Sequence, residues 1–529
     1  MNRLSALGMT ATAGIALALS RARAFAQAVG PGPEMSALST YMSAAGTRAL
    51  PAEAAEHAKH HLLDTLASMI SGSELPPGQA ALRYIRAHGG KGETTIAGSA
   101  LTAAATDAAL ANGVMAHADE TDDSHNASRS HPGCAVVPAA LAAGEEFGID
   151  GARFLRAVTL GYDIGTRVVL AMGGAEFSYD SSFATHSIAG TFGAAAAAAC
   201  AAGLDARQMR WALDYTAQQS SGIVAWRRDT DHIEKAFVFG GMPARSGVTS
   251  ALLVRSGWNG VDDVFSGADN FFQAYAPKAQ PARLIEKLGE RYEIAQTDIK
   301  KWTVGSPIQG PLDAIEAIRG KQPFAADQVQ RVTVRLAPSV AAVVDNRDIP
   351  DICLQHMIAV MLVDKTVWAR PIRRGQMRRR VRTPSQGQRH HLPSQPDLSV
   401  LELHLAAGTS LSRDRYQRAR LLCSLTQLSP CSVARCSAYV TRSLSLLQRS
   451  CSRWYSSSAL PAKPASGGSR LTWSSSRQPC NWATSEEARL LPREAPQSSA
   501  TASTQHRVDR SRRERLTAFV EMAALRKFR

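Results

Sequence analysis

Lysine is nearly missing from the last third of this chain: residues 369–529 hold 2 Lys against 27 Arg, with only 9 Asp and Glu. Residues 1–368 carry 31 Lys and Arg against 36 Asp and Glu, so the net charge of +15 comes wholly from the later stretch. Twenty-six Ser and five of the eight Cys also fall there. A basic surface would attract phosphate, but selection for charge does not discriminate so sharply against Lys. The stretch also lacks a recognisable motif and any interleaving of basic with aromatic residues, so no specific nucleic-acid partner is expected. A GC-rich gene read out of frame yields this mix of Arg, Ser, Pro and Ala. Residues 368–529 are therefore expected to be a frame-shifted, disordered basic tail with no sustained apolar period.

Paired cysteines are absent too. Cys134, Cys200 and Cys353 stand alone, with no CxxC, which excludes a disulfide framework and an iron–sulfur cluster. No run after the first 28 residues reaches the ~20 apolar residues of a membrane span. Residues 1–28 resemble a secretory leader: Arg3, an apolar Ala6–Leu19, and a small-x-small site at Ala24–Ala28. Arg21 and Arg23 follow the apolar run and there is no twin arginine. The expected location is periplasmic or secreted if the leader is real, otherwise cytoplasmic.

What is present is a succession of small-residue helices. The apolar period predicts helices over Pro51–Gly72, Leu101–Met115, Gly133–Phe147, Phe154–Met172, Gly190–Gly203 and Ala206–Gly222. Glu293–Ile294 and Val329–Leu336 alternate as half-buried strands do, with helices expected over Pro311–Gly320 and Leu354–Val363. The reading is a mainly α protein: a large all-α domain over 35–276, then a smaller, incomplete α/β domain over 281–367.

The richest polar run joins two of these helices: Asn112-Gly113, His117, Asp119-Glu120, Asp122-Asp123-Ser124-His125 and His131-Pro132-Gly133. Four carboxylates and three imidazoles so close together are costly unless they face solvent or a site. Three readings stay open: a solvated loop with helix caps, an acid/base centre, or a metal site. Gly113 and Pro132-Gly133 are expected to make sharp turns around it.

The run NGVMAHADETDD with HPGCAVVPAALAAGEEFG resembles the helical-domain signature of the MmgE/PrpD family, which includes 2-methylcitrate dehydratase and cis-aconitate decarboxylase. AVTLGYDIGTR (Ala157–Arg167), THSIAGTFGAAAAAA (Thr185–Ala199), KAFVFGGMPARSG (Lys235–Gly247) and GWNGVDDVFSG (Gly257–Gly267) resemble further family segments in order. Ile299-Lys300-Lys301-Trp302 with Asp313-Ala314 resembles the opening of its second domain, and the resemblance fades within Met361–Val367.

It implies a cofactor-free lyase, without metal, that dehydrates a 2-methylcitrate-like di- or tricarboxylic acid. Decarboxylation, epimerisation and an inactive truncated homologue are the alternatives. Residue by residue, the resemblance implies His131 as base oriented by Asp119, with His186 or His356 as second acid. Ser124, Lys235, Lys300 and Arg245 would bind substrate. The second His does not follow Phe183 directly, as is usual in the family, and His356 stands where relatives have Tyr. A homodimer packed through the helical domain is also implied.

Overall fold

The computed structural model describes residues 30–367, 400–405 and 410–414, all within one compact unit. The expected leader, and the basic tail apart from 400–405 and 410–414, lie outside the described residues.

The helical body is built from α1 (Pro33–Ala44), α2 (Ala52–Gly72), α3 (Pro76–His88), α4 (Ala105–Ala116), α5 (Gly133–Phe147) and α6 (Gly151–Met172). It continues through α7 (Gly174–Asp180), α8 (Thr185–Ala202), α9 (Ala206–Gln219), α10 (Ile233–Ala236), α11 (Met242–Arg255) and α12 (Phe271–Tyr275). The Ala-rich α8 is almost wholly buried and packs against α5, α6, α9 and α11. With so few side-chain atoms to separate them, neighbouring backbones come into contact. The expected helix from Leu101 starts later, because Thr102–Ala103 (β2) first pairs antiparallel with Thr94–Thr95 (β1). The sharp turn expected at Gly113 is not there either. Gly113 lies inside α4, where a Cβ would meet the Gly240 carbonyl oxygen at 2.4 Å. It is a contact point between backbones.

α10, a π-helical turn over Phe237–Gly241 and α11 form a 23-residue helical run, Ile233–Arg255. Contrary to the sequence expectation, this run is long and apolar enough to cross a membrane by length and composition. Of its most apolar 18-residue window, 61% is buried inside the protein, and the run packs as a core helix.

The second structural segment begins later than the sequence suggests. Leu284 joins the core of the helical body, and Glu293–Gln296 is a 3-10 turn packed on α6, not a strand. Tertiary contacts override the short alternation there: the Glu293 amide donates to Asp163 (2.7 Å), and buried Arg167 donates to the carbonyls of Glu286 (2.6 Å) and Arg291 (2.8 Å).

Beyond it, α13 (Ser306–Lys321), α14 (Pro338–Val344) and α15 (Leu354–Asp364) accompany β3 (Val329–Arg335). This sheet does not stop at Val367. β4 (Val400–Leu405) pairs antiparallel with β3, and β5 (Ser410–Asp414) with β4. Leu401 and Leu403 are 1% and 0% exposed and join a core with Trp302, Ile315, Met357 and Met361. The expectation of a wholly structureless tail is corrected at these strands. Alternation in Val400–Leu405 puts Leu401 and Leu403 on one face, and that face has a core to cover.

Candidate active site

The polar run between α4 and α5 is buried, so the solvated-loop reading fails. His117, Asp119, Glu120, Asp122, Asp123, Ser124, His125 and His131 are all at most 8% exposed. Two backbone pairings shape the loop. His125 and Ser130 close it on itself (2.9 and 3.2 Å), and Ser124 exchanges amide hydrogen bonds with Asp298 (2.9 and 2.8 Å). The second pairing delivers Lys300 to the carboxylates. The close packing of Gly113 on Gly240 sets the loop beside Lys235 and Phe239.

Asp123 holds the frame. Its carboxylate accepts from the Gly133 amide (3.0 Å) and the Tyr162 hydroxyl, and meets His61 Nδ1 at 2.8 Å. Residue 133 has to be Gly, since a Cβ would lie 2.7–2.8 Å from Tyr162 Oη, Asp123 Oδ2 and Thr65 Oγ1. Burial, reinforced by Asp123, pushes the Tyr162 hydroxyl well above its usual range, so it stays a donor.

Asp122 and Glu120 are the anionic centre. Burial would raise Asp122, but His117 (2.7 Å), Lys300 (3.2 Å) and His131 (3.8 Å) outweigh it and hold the carboxyl far below its usual range. Glu120 is likewise held low against burial by Lys235, His232 (2.8 Å) and Lys300 (3.8 Å). Lys300 is in turn held above its ordinary value: burial opposes its charge, and Asp122 and Glu120 more than compensate. His117 is pushed down to about 3, chiefly by burial, and its Nε2 has no hydrogen-bond partner.

Two groups are poised for proton transfer. His131 Nδ1 is hydrogen-bonded to the backbone carbonyl of Asp123, an acceptor only, so Nδ1 carries the hydrogen and Nε2 keeps its lone pair. Burial first, then Lys300, keeps this imidazole below its ordinary value and neutral at pH 7, although Asp122 pulls the other way. Asp119 is the opposite case. Burial pushes it up to about 6 against its hydrogen bonds from Thr121, and Asp351 and Asp122 add to the rise. Its Oδ2 is buried without a partner. The orientation of His131 thus comes from the Asp123 carbonyl, with Asp122 nearby, and not from Asp119 as the sequence suggested.

The structure brings most of the expected site residues together. The His186 ring lies 4.0 Å from that of Phe239 and 5.0 Å from that of His131, and burial followed by His131 and Arg129 pushes it well below its ordinary value. Lys235 stands over the Phe239 and Trp226 rings at 5.2 and 5.5 Å. The hydroxyls of Ser124 and Ser306 are hydrogen-bonded at 3.1 Å, which ties the loop to α13. Arg245 and His356 have other surroundings. Arg245, 47% exposed at its side chain, is 4.0 Å from Asp107 on α4. His356 is on the first turn of α15, lowered by burial, with a buried Nε2 that has no partner.

His232 and Asp351 were not legible as site residues. His232 adopts a left-handed backbone (φ 63°) one residue ahead of α10, which turns its Nε2 onto Glu120. Asp351 comes from the 3-10 turn Pro350–Ile352, far along the chain from the acidic run. Burial raises its carboxyl, Glu120 adds to this, and His232 opposes it. Two trios, His117–Asp122–Cys134 and His117–Glu120–His232, have ligand-type atoms within 4.8 Å of one another. In each, the carboxylate already faces an ammonium, Lys300 or Lys235, which a metal ion would have to displace.

Residues 36–284 match the MmgE/PrpD N-terminal domain. A cis-aconitate decarboxylase-like protein of Aspergillus oryzae is 28% identical over 314 residues, 55% of this chain and 64% of the relative. The chain thus spans less than two thirds of that relative's length. Cis-aconitate decarboxylase of Aspergillus terreus is 23% identical over 357 residues, covering 62% of this chain and 72% of the relative. The human cis-aconitate decarboxylase is 26% identical over 243 residues, 43% and 48% of the two chains.

Proposed function

Because residues 36–284 match the MmgE/PrpD N-terminal domain, we propose that the chain is a member of that family and a cofactor-free lyase of a small di- or tricarboxylic acid. The observation that carries this is the buried His131 imidazole, whose Nδ1 is held by the Asp123 carbonyl so that Nε2 keeps its lone pair, in a cluster of buried charged groups with Lys235 and Lys300. A base of this kind removes a proton α to a carboxylate. The ammonium groups favour the enediolate charge that builds up, in a setting where water cannot screen them.

Decarboxylation is the first reading, because the relatives named above are decarboxylases or decarboxylase-like. The bond from carbon to the leaving carboxylate breaks, CO₂ departs, and the electron pair left on carbon takes a proton from an acid of the pocket. Dehydration of a 2-methylcitrate-like hydroxy acid is the second reading, favoured by Asp119. His131 Nε2 would take the α proton, and protonated Asp119 would give its proton to the departing hydroxyl, leaving an alkene acid and water. A carboxyl pushed up to about 6 is partly protonated near neutrality, as that role needs.

The test is turnover of cis-aconitate and of 2-methylcitrate by the full 529-residue chain, followed by CO₂ release and by alkene formation. His131→Gln should lower the rate by roughly 10²–10⁴. Turnover of neither acid, or an undiminished rate in His131→Gln, sinks the reading.

A further inference from the structure

Three arginines from separate parts of the chain meet beside this pocket. Arg129 lies on the active-site loop, Arg227 on the 3-10 turn Val224–Arg228, and Arg347 in the loop between α14 and α15. Arg347 donates to the Arg227 backbone carbonyl, and the Arg227 guanidinium feels both Arg129 and Arg347 after its own burial. Arg129 holds a left-handed backbone (φ 47°), and its guanidinium sits 4.2 Å over the Tyr179 ring. The Nε atoms of Arg129 and Arg227 are buried without a hydrogen-bond partner. Among the described residues no carboxylate pairs with any of the three. Every other cation drawn into this region, Lys235 and Lys300, has its acid.

Three half-buried like charges without a counter-ion repel one another, and Arg forks fit carboxylate oxygens two at a time. The place also fits a ligand that reaches the pocket. Arg129 is two residues before His131, and its charge is felt at His186. Trp226, next to Arg227, packs edge-on against His186 at 5.9 Å, and the His186 ring lies 5.0 Å from that of His131.

We propose that Arg129, Arg227 and Arg347 form a carboxylate-binding subsite for the end of the substrate remote from the reacting carbon. This rests on the lyase reading above and sharpens it. The preferred substrate carries a carboxylate beyond the two nearer the reacting carbon, which makes it a tricarboxylate rather than a dicarboxylate. Arg347 comes from beyond the helical body, so binding also couples the two segments.

Calorimetric titration of the full chain with tricarballylate, glutarate and inorganic phosphate tests this. Wild type should bind tricarballylate more tightly than glutarate. Arg347→Gln and Arg227→Gln should each weaken tricarballylate by about tenfold or more, a charged hydrogen bond's worth, with glutarate changed less than about twofold. Arg347→Lys, which keeps the charge without the fork, should fall between, and thermal melts check that each variant folds. His131→Gln should still bind tricarballylate while losing turnover. Equal tricarballylate binding by wild type and the arginine variants would overturn the subsite and leave the His131 reading standing, because turnover of wild type tests that reading separately. Phosphate bound through these arginines without competition from tricarballylate would overturn the assignment to substrate.

Discussion

In the helical body, a Cβ added to Gly165 of α6 would lie 2.2 Å from the Ala189 carbonyl oxygen of α8, and one on Gly161 2.8 Å from that of Gly193. In α13 of the following segment, Gly310 and Gly320 face open space, with nothing within 4 Å. The first region is built from Ala and Gly with backbones in contact. The second relies on large side chains (Trp302, Ile308, Leu312, Met357) around a three-stranded sheet whose β3 is half exposed. The active-site loop hangs from the first region and is tied to the second by Asp298 and Ser306. Tight packing without side chains gives a rigid frame and leaves no room for change; side-chain packing tolerates more.

The comparison can be broken from either side. Gly165→Ala has the largest expected effect. Backbone cannot yield as a flexible side chain does, so about 3 kcal/mol or more should be lost, read by chemical denaturation. A near-wild-type midpoint would show that α6 and α8 are not in contact as described. Leu403→Ala in β4 comes next, at roughly 2–5 kcal/mol for a fully buried Leu. Hydrogen exchange should rise first in β3 and α13 and leave α6 protected. Unchanged exchange there would remove β4 from the folded segment.

An acid titration of stability gives a smaller, distributed effect. His117 is neutral in the fold down to about 3, whereas the unfolded imidazole gains a proton near 6.5, so stability falls as pH drops from 6.5 towards 3. Asp119 acts the other way between 6 and 3.8, since the fold takes its proton first. Asp163, also pushed up to about 6, acts with Asp119, whereas His131 and His186, both held below their ordinary value by burial, act with His117; Asp122, held low in the fold, adds a further loss below 3.8. His117→Phe removes one acid-labile group, so between pH 7 and 4 its unfolding midpoint should drop less, relative to its own value at pH 7, than that of wild type; an identical pH profile would show that His117 is not held neutral in the fold. The smallest effect is Gly320→Ala, expected to stabilise by about 0.5–1 kcal/mol. A loss instead would mean that α13 is covered at that point.

Where a local signal coincided with a tertiary need, the sequence could be read. α5 begins at Gly133 and ends at Phe147, as its apolar period predicts, because Pro132 precedes it and Gly148 ends it in a left-handed conformation. The imidazoles and carboxylates of residues 117–131 stood out for the same reason: seven ionisable groups in one short run have few places to go. Two kinds of feature were hidden. One came from distant partners, as with His232 and Asp351 joining the acidic run, or Asp163 and Arg167 turning Glu293–Ile294 into a 3-10 turn. The other was diluted by composition. Six alternating residues, Val400–Leu405, vanish in the average of a 161-residue Arg- and Ser-rich stretch, although β3 is there to receive them.

The most direct test of the account is the protonation state of His131, followed by ¹⁵N NMR of the full chain and assigned by its loss in His131→Gln. The account predicts a neutral ring at pH 7 with the hydrogen on Nδ1, charging only below 6.5 as burial dictates. A ring that is charged at pH 7, or neutral with its hydrogen on Nε2, would contradict it.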